Sequence, residues 1–187
     1  MNKLQTNPKA NDANNDNNNQ NGTVRIEGNY ATLGYERWLA YPAEAVWKAI
    51  TDPKELASWF NTRAVIDGRN GGTIDFVNTL STFHTTGRIL VWDPPRVFEH
   101  EWHIAPNPQV PKGEPEAVIR WELMRDGDSN TILNVTYSRL TKHTALRFAP
   151  GTHAYLDRLA AHLDHKVLPD WMERYAAVKG FYPSLQD

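Results

Sequence analysis

The chain has 187 residues, with 20 Lys plus Arg against 22 Asp plus Glu, and no Cys. That length fits one ordinary domain with a tail, the formal charge of −2 offers no basic field to a phosphate backbone, and the lack of thiols excludes disulfides, thiolate nucleophiles and Cys-held zinc. No stretch reaches the ~20 apolar residues of a membrane span and the N-terminus lacks the apolar core of a signal peptide, so a cytoplasmic protein with no nucleic-acid partner and no membrane span is expected.

Residues 1–22 contain nine Asn and only Met1 and Leu4 as sizeable apolar groups, too little to offset chain entropy. An Asn-rich disordered tail is therefore assigned to residues 1–30, a single domain to 31–180 and a short C-terminal tail to 181–187. Aromatic and β-branched residues make 33–40 a strand, and Val46, Trp47 and Ile50 follow at helical spacing. Asp52-Pro53-Lys54-Glu55 has the chemistry of a capping box, so two short helices in tandem are expected.

From Trp59 onward the pattern turns to period two, giving six more strands at 62–66, 73–78, 84–92, 96–104, 117–125 and 131–140. Asp67-Gly68, Gly71-Gly72, Asp93-Pro94-Pro95 and Asp126-Gly127-Asp128 separate them with turn chemistry, which implies an antiparallel sheet. The connector 105–116 carries Pro106, Pro108, Pro111 and Pro115 and belongs at an edge or over an opening. After Pro150-Gly151, Thr152 is positioned to cap a helix over 152–168, with Leu156, Leu159, Ala160, Leu163 and Val167 on one stripe. Pro169 then kinks it or restarts it over 170–178. Strands followed by a covering helix read as α+β.

The run Pro42-Ala43-Glu44-Ala45-Val46-Trp47-Lys48-Ala49-Ile50-Thr51-Asp52-Pro53, with Leu56 and Trp59-Phe60, resembles the opening of the START-like, helix-grip superfamily that also holds polyketide cyclases and birch-pollen-allergen-like proteins. Gly71-Gly72, Gly87-Arg88-Ile89-Leu90, Pro94-Pro95-Arg96-Val97-Phe98, Trp102 and Thr131-Ile132-Leu133 resemble its branch named after the activator of the heat-shock-protein-90 ATPase. The resemblance implies a curved seven-stranded antiparallel sheet gripping a long C-terminal helix, two short helices after strand 1, and a cavity between sheet and helix used for apolar ligands. It implies no particular reaction and no cofactor.

Alternation places Phe98, His100, Trp102 and Ile104 on one face of their strand, and Ile119, Trp121 and Leu123, then Leu133, Val135 and Tyr137, on the same side of theirs. Such rings are either plain core or cavity wall, and His100 is either a satisfied core histidine or a ligand contact. With the resemblance, the candidate ligand-binding set is Trp59, Phe60, Phe76, Phe98, His100, Trp102, Trp121, Tyr137, Leu156, Leu159 and Leu163, with Trp59 and Phe60 either a gate or a helix anchor. His162 and His165 fall opposite the apolar stripe, and His153 and Asp157 flank it, so the two pairs do not share a metal ion. Glu99, Glu101 and Glu122 share faces with Val97, Arg120 and Met124, which reads as cross-strand charge pairs on the outer sheet surface instead of paired catalytic carboxylates, and no phosphate loop or nucleophile elbow occurs. Three functions follow: an apolar or aromatic small molecule bound in the cavity, an interaction module for a heat-shock-protein-90-type ATPase, or a cyclase or hydrolase using His100.

Overall fold

The computed structural model describes residues 21–81 and 83–184, so the Asn-rich segment 1–20 lies outside it. Nine strands form one antiparallel sheet: β1 (Thr23–Glu27), β2 (Tyr30–Leu39), β3 (Thr62–Ile66), β4 (Thr73–Asn78), β5 (His84–Asp93), β6 (Val97–Glu101), β7 (His103–Ile104), β8 (Val118–Asp126) and β9 (Asn130–Thr141). The helices are α1 (Ala43–Thr51), α2 (Pro53–Trp59), α3 (Lys142–Leu163) and α4 (Trp171–Val178). Spatial order is β1-β2-β9-β8-β6-β5-β4-β3, with β7 paired to β5. The expected α+β helix-grip architecture is present, and the sheet is wider than the seven strands anticipated.

The two additional strands have separate causes. β1 lies in the stretch assigned to the tail, because Gly28 turns at φ +61° and lays Thr23–Glu27 against β2. β6 and β7 are one predicted strand interrupted at Trp102, whose backbone N–H leaves the ladder and donates to the Ala117 carbonyl at 2.7 Å. At the same level β5 exchanges partners, pairing with β7 through Thr85 and Thr86 and with β6 from Ile89 onward. Gly87 sits at this corner, where a Cβ would lie 2.1 Å from the Glu101 carbonyl oxygen. Only a residue without a side chain lets the two backbones pass so closely, and that passage bends the sheet.

Asp52 caps α2, accepting from the Lys54 N–H at 2.8 Å. Glu55 does not close the box; its carboxylate instead meets His162 of α3 at 2.6 Å, so His162 is tied to the body of the protein instead of lying in solvent. The helix expected from Thr152 begins ten residues earlier, at Lys142, and ends at Leu163. Thr141 caps it, accepting from Thr144 N–H at 3.4 Å, while buried Glu114 accepts from the Thr141 N–H at 3.0 Å. That carboxylate sits where the helix dipole favours negative charge and pins the far end of the Pro-rich connector. Pro150 stands inside α3 and removes one helical hydrogen bond, yet Ala145, Leu146 and Ala149 before it are buried and hold the helix continuous across it.

Pro169 precedes a new helix as expected, α4, capped by Asp170 accepting from Glu173 N–H at 2.9 Å. Trp171 packs on Gly151, where a Cβ would meet its ring at 3.1 Å. Tyr182, placed by the sequence reading in the C-terminal tail, is buried, and its hydroxyl accepts from Gly22 N–H at 2.9 Å. The core lies between the inner sheet face, α1, α2 and α3. Among the described residues no helix is long and apolar enough to cross a membrane.

Candidate functional site

Strand parity delivers the ring-bearing residues to one face. Phe98, His100, Trp102 and Ile104 are all buried, as are Ile119, Trp121, Leu123, Leu133, Val135 and Tyr137 from the neighbouring strands. Phe98 and His100 lie with ring centroids 4.6 Å apart, Phe76 stands 6.0 Å from both His100 and Trp102, and Trp102 is 5.8 Å from His100 and 6.4 Å from Tyr137. Trp121 is opposite Phe98 in register. Leu156, Leu159 and Leu163 are buried on α3. Trp59 and Phe60 form a separate corner with Tyr155, at 5.0 Å and 4.7 Å. The Trp59 indole N–H donates to the Ala49 carbonyl at 2.8 Å, which ties α2 to α1 as an anchor does.

The polar groups of the aromatic interior are few and specific. His100 is 1% exposed, and burial pulls its pKa down to about 4 against the weaker opposing effect of its bond to the Glu101 carbonyl. At neutral pH the ring is uncharged, Nδ1 donates to that carbonyl at 2.8 Å, and Nε2 is left as an acceptor. Tyr137 is pushed up to about 12 by the same desolvation and stays a phenol. The Trp102 indole N–H is buried and finds no acceptor among the described residues. Such a donor costs free energy in a closed protein, of order 1–3 kcal/mol.

A second buried polar group, absent from the sequence expectations, lies between β2 and α3. Arg37 has the inward parity of Leu33, Tyr35 and Leu39 and is 5% exposed. One of its nitrogens, Nη1, donates to the Glu36 carbonyl at 2.9 Å, whereas Nε and Nη2 have no hydrogen-bond partner among the described residues. The carboxylate facing it, Asp157, is 3.7 Å from Nη2 and is already held by Arg174 of α4 at 2.5 Å. His153, one helical turn before Asp157, is buried: Nδ1 meets the Tyr182 hydroxyl at 2.8 Å, and Nε2 stands 3.3 Å from Asp157 without an aligned hydrogen bond. Two signals in the sequence pointed here, a charged residue at inward strand parity and a His–Asp pair at i, i+4.

Outside, Arg120 joins Glu99 at 2.6 Å and Glu122 at 2.7 Å, as the alternation predicted, and Glu101 is met by Arg88 of β5 at 2.8 Å. Two open clefts of about 390 and 410 Å³ on the outer side of β4, β5 and β7 share Thr86 and His103 and contain none of the eleven candidate residues. Among the described residues no group of three His, Asp or Glu side chains is disposed to hold a metal ion.

No curated protein sequence matches this chain. Solved structures do: CalU16 from Micromonospora echinospora is 21% identical, covering 86% of this chain and 92% of its own, with a TM-score of 0.64. A Bordetella parapertussis protein is 23% identical over 87% and 88% of the two chains, with a TM-score of 0.65. A conserved protein of unknown function from Enterococcus faecalis is 18% identical over 83% and 86%, with a TM-score of 0.64. At these identities the likeness concerns the fold. The sequence profile described as "Activator of Hsp90 ATPase homolog 1-like protein" matches residues 40–164, from the end of β2 to the last turn of α3. The chain therefore belongs to the family of activator of Hsp90 ATPase homolog 1-like proteins, within the START-like superfamily.

Proposed function

We propose that this protein binds an apolar or aromatic small molecule between the inner face of the sheet and α3. The observation that carries this reading is the buried Trp102 N–H without an acceptor, set among rings and beside a neutral His100. Few polar groups converging in an apolar enclosure are the ordinary composition of a small-molecule site. A ligand hydroxyl can accept from the Trp102 N–H, with the neutral His100 ring beside it. The rest of the affinity comes from apolar area removed from water, at roughly 25 cal/mol per Å². The rings touch one another, so entry separates them, and the half-buried Phe60 and Tyr155 beside α4 are the thinner cover.

His100 acts here as an orienting group. With its pKa near 4 it is a weak base at neutral pH, and no carboxylate backs it; its Nδ1 partner is a main-chain carbonyl. The test is a titration with a panel of apolar fluorophores against the wild type and Trp102→Phe, which keeps the ring and removes the donor. Saturable, displaceable binding that weakens in the variant for hydroxyl-bearing probes supports the reading; no saturable binding to the wild type overturns it. The family description supports a second reading, stimulation of a heat-shock-protein-90-type ATPase. Turnover of that ATPase that does not change at saturating protein dismisses it.

A further inference from the structure

We infer that the ligand of this interior is an elongated apolar carboxylate, with its anionic end held by Arg37; the inference rests on the binding function proposed above. Buried Arg37 and the partly exposed Arg174 bring two positive charges to one carboxylate, Asp157, which Arg174 engages at 2.5 Å. Arg37 Nη2, at 3.7 Å, is beyond hydrogen-bond range of it, and Nε has no acceptor either. His153 Nε2 approaches the other Asp157 oxygen at 3.3 Å, also without a hydrogen bond. Two buried guanidinium N–H groups without acceptors thus stand beside an anion that Arg174 already holds. The other charged neighbours point elsewhere: Glu36 is exposed on the outer face, and Arg158 donates to the carbonyls of Trp59 and Pro169.

A guanidinium presents a planar fork of donors that matches a carboxylate with two parallel bonds, and burial strengthens such a pair. Inward tyrosines connect this cluster to the aromatic interior: Tyr137 packs against Trp102 and stands diagonally across the β2–β9 ladder from Tyr35, which is two residues from Arg37 on the same face of β2. From β6 through β8 and β9 to β2 are three strand spacings, about 14 Å, so a ligand reaching both ends is a chain and not a compact ring. A neutral head at Arg37 would leave the donors half used, whereas a carboxylate supplies two oxygens to them.

The experiment compares decanoate with 1-decanol, equal in chain and different in charge, by calorimetric titration of the full chain at neutral pH. The wild type is expected to bind decanoate at least about tenfold tighter. Arg37→Met, which removes the charge and keeps the apolar stem, is expected to bring the two affinities within about twofold by weakening decanoate alone. Equal affinities in the wild type overturn the carboxylate assignment and leave the apolar site standing, even where the variant does not fold. Decanoate preference surviving in a folded Arg37→Met protein overturns the role of Arg37. If neither probe binds and the fluorophores also fail, both the inference and the function beneath it fall; if fluorophores bind and decanoate does not, only the inference does.

Discussion

The inner face of this sheet buries polarity in two ways. Around β6 a single imidazole among rings gives up its charge, its pKa drawn down to about 4 by desolvation and its Nδ1 bonded to one carbonyl. Between β2 and α3 the charges are kept: buried Arg37 faces Asp157, which Arg174 holds from the partly exposed side, with burial lowering the Arg37 pKa while Asp157 opposes that shift. The difference follows from what each group can do. A histidine sheds its proton at modest cost, whereas a guanidinium does not deprotonate in proteins and has to be met by an anion. The first region is therefore sensitive to pH and the second to the removal of a partner.

The largest expected effect tests the charged region. Asp157→Leu leaves Arg37 buried without a carboxylate, a change that costs roughly 3–5 kcal/mol when one member of a buried pair is lost. Denaturant unfolding measures it, and combining it with Arg37→Met is expected to restore most of the loss. A single variant as stable as the wild type would show that the pocket is not electrostatically closed. Next comes the aromatic region. His100 has a folded pKa of about 4 against an ordinary 6.5, so the unfolded chain binds its proton first as pH falls. Stability from this group is complete above about pH 6.5 and is lost on acidification through the window down to 4. Between pH 7 and 5 the loss is about 2 kcal/mol, and His100→Phe is expected to flatten that part of the stability profile. An equal pH slope in the variant would assign the effect to other groups. The smallest effect is the outer-face control: Arg120→Ala, which breaks partly exposed pairs with Glu99 and Glu122, is expected to cost about 0.5 kcal/mol and less in high salt.

Which side of the comparison the sequence revealed depended on whether the signal was periodic. The alternation through Phe98, His100, Trp102 and Ile104 was enough to place four residues on the inner face, because a strand has only two sides. The same rule applied to β2 marks Arg37 as inward, but composition argues that a lone arginine in a strand lies outside, and what reverses that is Asp157, 120 positions later in the chain. His153 was legible only as half of a pair on a helix; its burial depends on Tyr182, which α4 carries back over α3. Trp59 read equally as gate or anchor, and the bond from its indole to Ala49 belongs to a contact between two helices.

By itself the sequence determined the local grammar of the protein. It set the β3 and β4 ranges, the Asp52 cap, the break at Pro169, and the outer pairs of Arg120, all consequences of neighbours within a few positions or of strict period two. Tertiary structure decided where α3 begins, since burial of Ala145, Leu146 and Ala149 outweighed the breaking tendency of Pro150-Gly151, and it decided the bend at Gly87, which a sequence shows only as a missing side chain. It also decided that two groups of N–H donors, on Trp102 and on Arg37, are buried without acceptors. Satisfaction of a polar group is a property of what surrounds it in space, and no spacing along the chain encodes that.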